Sequence, residues 1–111
     1  MRKWFVASLL LPGFVFLGFA SPAAASSKSQ REHGAALFAT SGCQHCHTIR
    51  NVGGHKGPNL SSVGRTKSKD AIRAQVVNGS KVMPAFGDVL QPTELDDLVA
   101  YLRSCKDKPI K

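Results

Sequence analysis

The feature that most constrains this chain is five residues long. Cys43-Gln44-His45-Cys46-His47 places two thiols three positions apart, with an imidazole directly after the second. That is the C-x-x-C-H spacing of covalent haem attachment. Each thiol can add to one vinyl group on the haem edge, and the next residue then lies beneath the iron, where a neutral imidazole can be the proximal ligand. The same residues could instead belong to a zinc site or a dithiol redox pair, so the rest of the chain has to decide.

The 111 residues suffice for one domain and one core. The first 25 residues read as a separate segment. Arg2 and Lys3 form a charged start, Trp4 to Ala20 carries no charge, and Ser21-Pro22-Ala23-Ala24-Ala25 offers the small residues of an A-x-A cleavage site. This is the layout of a secretory signal peptide cut after Ala25. The uncharged run is short for a membrane span and contains Pro12 and Gly13. The expected organisation is therefore a signal peptide at 1–25 and one domain at 26–111, exported to the periplasm with no permanent membrane insertion.

The 86 residues from 26 to 111 can bury only a small apolar core. A covalently held cofactor would supply much of the missing buried surface. Export also means an oxidising compartment. Three cysteines cannot close a disulfide framework there, whereas two thioethers at Cys43 and Cys46 plus a spare thiol at Cys105 account for all three. Beyond Ala25, 13 Lys and Arg face 7 Asp and Glu, a formal balance of +6. For an exported protein this points away from nucleic acid; it reads as a solvated basic surface or, if haem is present, as electrostatic steering to acidic redox partners.

Ser29-Gln30-Arg31-Glu32 reads as a capping box that opens a helix from Gln30 to Ala39, with Gly42 as its C-terminal cap. Gly34 inside that helix costs about 1 kcal/mol against Ala, which suggests that another helix comes close. Residues 48–67 are rich in Gly, Pro, Asn and Ser and show no apolar period. A loop that long usually wraps something. Ser68 caps a second helix that stops at Gly79, and Pro92 opens a third that runs to about Lys106. Leu95, Leu98, Val99, Leu102 and Cys105 form its apolar stripe. No strand pattern is visible. The fold class is all-α, three main helices with long loops.

A six-coordinate haem needs a second axial ligand. Beyond the leader the only methionine is Met83, in a loop 36 residues after His47 and followed by Pro84. A thioether is a soft, neutral ligand that favours ferrous iron and raises the potential relative to a second histidine. Pro84 keeps the loop from continuing as helix. A methionine packed in the core is the plainer alternative. A zinc reading lacks a fourth ligand, because Cys105 belongs to the stripe of its own helix.

Cys43-x-x-Cys46-His47, Gly57-Pro58-Asn59-Leu60, Met83-Pro84 and a closing helix with Leu98 and Tyr101 together resemble a small bacterial class I c-type cytochrome, from about Glu32 to Lys106. The resemblance implies a cytochrome c fold around one covalently bound haem c. It implies His47 as proximal ligand through Nε2, with Nδ1–H donating to the Pro58 carbonyl, and Met83 as distal ligand. Gly34 and Phe38 would cross the last helix near Leu98 and Tyr101. Arg65, after Gly64, would lie near a haem propionate, although the loop is one residue shorter than in the mitochondrial type. His45 would face solvent, and His33 and His55 would not be ligands. The implied function is a monomeric one-electron carrier rather than an enzyme, with Lys56 or Lys81 guiding docking. Two alternatives stand beside it. One is a haem subunit of a dehydrogenase or oxidase complex, and the other is a ligand sensor or weak peroxidase in which Met83 dissociates.

Overall fold

A computed structural model describes residues 23–108, together with Gly13 and Gly18. The expected signal peptide lies outside the described residues except for Gly13, Gly18 and its last three, Ala23 to Ala25. In chain order the elements are α1 (Ala23–Thr40), a 3-10 turn (Cys43–His45), β1 (Thr48–Ile49), β2 (Val52–Gly53), α2 (Val63–Thr66), α3 (Lys69–Asn78) and α4 (Pro92–Ser104).

Several expectations need correction. Helix α1 begins at Ala23, so Ser29 lies within it and caps nothing. Consecutive alanines have the highest helix propensity, and no Gly or Pro interrupts the chain between Ala23 and Ser29. Lys28 and Glu32, 3.8 Å apart across one turn, add a small exposed ion pair to this extension. The 48–67 segment also contains an antiparallel hairpin, pairing Thr48 with Gly53 and Ile49 with Val52. Its two-residue turn needs positive φ at both positions, supplied by Arg50 (φ 50°) and Asn51 (φ 66°) instead of the usual Asn-Gly.

The other helix boundaries follow their chemistry. Ser68 Oγ accepts from Ala71 N at 3.1 Å to open α3, and Gly79 at φ 63° closes it. Pro92 occupies the first turn of α4, and Glu94 Oε1 accepts from Gln91 N at 3.0 Å. Helix α4 ends at Ser104, two residues earlier than expected, because Cys105 turns extended (φ −75°, ψ 91°).

Helices α1 and α4 cross at Gly34. A Cβ there would lie 2.7 Å from both Tyr101 Cβ and Asp97 C, and closer still to Asp97 O, so the backbones touch. Beside the crossing, His33 Nδ1 donates to Asp97 Oδ2 at 2.6 Å. Phe38 and Tyr101 pack with ring centroids 6.1 Å apart at 59°. Leu98 and Val99 are fully buried, and Ile72 and Val76 of α3 complete the core against Phe38, Leu95 and Leu102. These contacts fix α1, whose end delivers the Cys43–His47 turn, relative to α3 and α4, which flank the loop carrying Met83.

Candidate haem site

Gly42, at φ 87°, swings the chain out of α1 into the 3-10 turn. Within it Cys46 N and His47 N both donate to Cys43 O, at 3.2 and 3.0 Å. This tight turn brings Cys43, Cys46 and His47 together on the wall of a cleft of about 1250 Å³, while His45 is exposed and outside it. Burial pushes the Cys43 thiol above its usual pKa, so it sits neutral. The turn is braced from behind. Gly54 N donates to Gln44 O at 2.9 Å, and Gly57 N donates to Cys46 O at 2.7 Å.

His47 Nδ1 donates to Pro58 O at 2.8 Å, the contact the resemblance implied. That hydrogen bond commits the ring proton to Nδ1 and leaves Nε2 as the lone-pair nitrogen. Gly57 packs against the face of the ring: a Cβ there would lie 2.5 Å from His47 Cε1 and 2.8 Å from Nδ1.

Met83 lines the same cleft, on the loop between α3 and α4. The loop is tied down at several points. Ser80 N donates to Met83 O at 2.9 Å, and Met83 N to Ser80 Oγ at 3.3 Å. Phe86 N and Gly87 N donate to Val76 O and Val77 O, satisfying free carbonyls at the end of α3. The Met83 sulfur itself accepts from Gln75 Nε2 at 3.6 Å. Sequence reasoning passed over Gln75. The available signal was a polar residue on the apolar face of α3, three residues after Ile72 and adjacent to Val76.

Of the remaining expected site residues, Pro58 lines the cleft and Arg65 does not. Arg65 Nη1 donates to Lys106 O at 3.2 Å, beyond the end of α4. Lys56 and Lys67 line the cleft. His33 is engaged with Asp97, and His55 Nδ1 lies 3.3 Å from Thr48 Oγ1; neither reaches the cleft. Among the described residues no group of three or more His, Cys, Asp or Glu side chains assembles a metal site. Cys105 is 2% exposed, outside the cleft, and donates to Tyr101 O at 3.4 Å, so it is no partner for Cys43 and Cys46.

The residues fit a haem. The cleft exceeds the ~300–1,000 Å³ of an ordinary small-ligand pocket. Its floor is apolar (Phe38, Leu98, Leu102, Val76), two thiols stand on its wall, and one imidazole nitrogen and one thioether remain as donors. An apolar slot with covalent anchors and an axial imidazole defines a c-type haem site.

Comparison with known proteins agrees. Residues 29–102 match the family described as cytochrome c oxidase, cbb3-type, subunit III. Cytochrome c6 from Nostoc sp. is 33% identical over 113 residues, covering 92% of this chain and 92% of that protein. Cytochrome c-555 from Methylococcus capsulatus is 27% identical, covering 96% and 88% respectively. The crystal structure of the c-type cytochrome SorU from Sinorhizobium meliloti superposes with a TM-score of 0.60 at 25% identity, covering 74% of this chain and 99% of that one. The chain belongs to the cytochrome c family, as a small class I member with the cytochrome c fold. Its cofactor is haem c, attached through Cys43 and Cys46.

Proposed function

We propose that the protein is a one-electron carrier whose haem is held between His47 and Met83. The observation that carries this reading is the pairing of a His47 ring fixed by Pro58, with Nε2 left free, and a Met83 sulfur in the same cleft. When bound, haem c supplies a ferric–ferrous couple. His47 Nε2 and Met83 Sδ would be the two protein ligands of the iron, and with both engaged no site would be open to a substrate. Phe38, Val76, Leu98 and Leu102 exclude water from the cleft, and the low dielectric together with a neutral thioether favours the less charged ferrous state.

The hydrogen bonds that pin the 79–90 loop support a closed carrier over a ligand sensor. They fix the backbone that carries Met83, so the sulfur would leave only by rotation of its own side chain. The carrier works outside the cytosol once residues 1–25 are removed, as a monomer. Exposed Lys56 and Lys81 favour acidic redox partners through weak, salt-sensitive docking. A second reading, a fixed subunit of an oxidase complex, draws on the family description matched by residues 29–102. A complex with its partner that survives high salt would favour that second reading.

The test is carbon monoxide. The reduced holoprotein at neutral pH should not bind it on the timescale of mixing, because Met83 would occupy the iron. Rapid binding would replace the carrier by a ligand sensor or weak peroxidase.

A further inference from the structure

Residues 59–62 form a wall between two cavities. On one side is the haem cleft, and on the other a hollow of about 530 Å³ lined by Arg50, Ser61 and Asp107; Asn59 and Ser62 line both. Chain with open space on two sides gains little from packing, so hydrogen bonds have to hold it. At the near end Gly57 N donates to Cys46 O at 2.7 Å, and Leu60 N to Thr48 O at 2.8 Å. The far end is held by a residue beyond α4. Asp107 N donates to Ser61 O at 3.0 Å, and Asp107 O accepts from Ser62 Oγ at 2.6 Å. Its carboxylate accepts from Arg50 Nε and Nη2 at 2.9 and 3.1 Å, and Arg50 N in turn donates to Ser61 Oγ at 2.8 Å. The amide, the carbonyl and both carboxylate oxygens of Asp107 are thus spent on the wall or on the arginine that braces it. Asp107 lies past residue 102, where the match to the family ends.

We infer that Asp107 is a positioning residue for His47: it clamps the 59–62 wall, and with it the Pro58 carbonyl that accepts from His47 Nδ1. The assignment rests on the haem-carrier reading above. A carbonyl partner fixes the tautomer of a ligating imidazole and raises its basicity, so movement of Pro58 is felt by the ligand and not only by the fold. Two grips keep Pro58 in place, one from the haem-binding turn and one from Asp107. When the second is released, the wall is free to swing into the hollow, and Pro58 follows it.

The experiment is solvent exchange of the His47 Nδ1–H proton, followed by NMR at one neutral pH on reduced holoprotein of the wild type, Asp107→Asn, Arg50→Gln and the double variant. The amides of Phe86 and Gly87, bound to α3 on the Met83 loop, serve as the internal control. Either single variant should speed exchange at His47 about 2–5-fold, the range for losing one exposed ion pair, and leave the control amides unchanged. The double variant should be no faster than the singles, because both substitutions break the same clamp. An unaltered His47 rate overturns the inference. Equal acceleration at His47 and at the control amides also overturns it, because that is general destabilisation. A double variant faster than both singles breaks the link between Arg50 and Asp107 and overturns it too. Absence of covalent haem from the wild-type spectrum would refute the carrier reading, and this inference with it.

Discussion

Replacing Gly57 by Ala presses directly on the imidazole of His47. The added Cβ would sit 2.5 Å from Cε1, 2.8 Å from Nδ1 and 3.1 Å from Nε2. Carbon contacts settle near ~3.5 Å, so the ring has to move by roughly 1 Å. The Nδ1 to Pro58 O hydrogen bond, at 2.8 Å, cannot absorb that displacement and remain a hydrogen bond. Losing such a supporting partner typically weakens a metal ligand about 10–100-fold. At ~1.36 kcal/mol per decade this is about 1.4–2.7 kcal/mol. The opposing effect is the stiffening of the unfolded chain, which makes Gly to Ala favourable by ~0.4–1 kcal/mol where there is no clash. The sign of the result therefore separates the two effects. Guanidinium unfolding of ferric holoprotein, followed at the haem band, should show Gly57→Ala destabilised by about 1–2 kcal/mol. A variant as stable as the wild type, or more stable, would refute the claim that Gly57 is kept for the ring of His47.

At the α1–α4 crossing the obstacle is backbone, so Gly34→Ala should lower the melting temperature even though Ala is worth about 1 kcal/mol more in a helix. Overpacking costs ~1–3 kcal/mol. A higher melting temperature would mean that the helices do not touch there. Asp107 accepts from Arg50 Nε and Nη2 at 2.9 and 3.1 Å, and this hydrogen bond and charge hold its carboxyl below the usual range. A carboxylate with a depressed folded pKa stabilises the protein above its unfolded pKa and loses that contribution as pH falls through the folded value. The wild type should thus be more stable than Asp107→Asn at neutral pH, with the difference vanishing in acid; a gap that persists at low pH would contradict the ion pair. Cys105 is 2% exposed and burial raises its thiol pKa, so the native protein should resist alkylation and run as a monomer without reductant. Fast labelling or a covalent dimer would show the thiol to be accessible.

The parts of the fold legible in the sequence are those set by local chemistry. Ser68, Gly79 and Pro92 mark helix ends through groups within a few residues of themselves, and all three do so here. The Cys43–His47 spacing needs only one turn to bring its side chains onto a common wall. Gly34 was readable because its cost in a helix demands a compensating close approach. What escaped depends on distant partners. Arg65 meets Lys106 O, 41 positions away. The Arg50-Asn51 turn lacks glycine, and Arg50 is held instead by Ser61 Oγ through its amide and by Asp107 through its side chain. Gln75 meets Met83 only because the loop folds back onto α3. The Ser29 box failed for the opposite reason, a local signal outweighed by the helix-forming residues before it.

Everything proposed for the mechanism depends on the sulfur of Met83. The direct measurement is the ferric absorption spectrum of the protein, exported in a host with haem-attachment machinery, beside that of Met83→Ala. The account predicts covalently retained haem in both. It predicts the long-wavelength band of methionine-to-iron coordination in the wild type and its loss in the variant. A wild-type spectrum without that band, or a variant spectrum identical to it, would contradict the account.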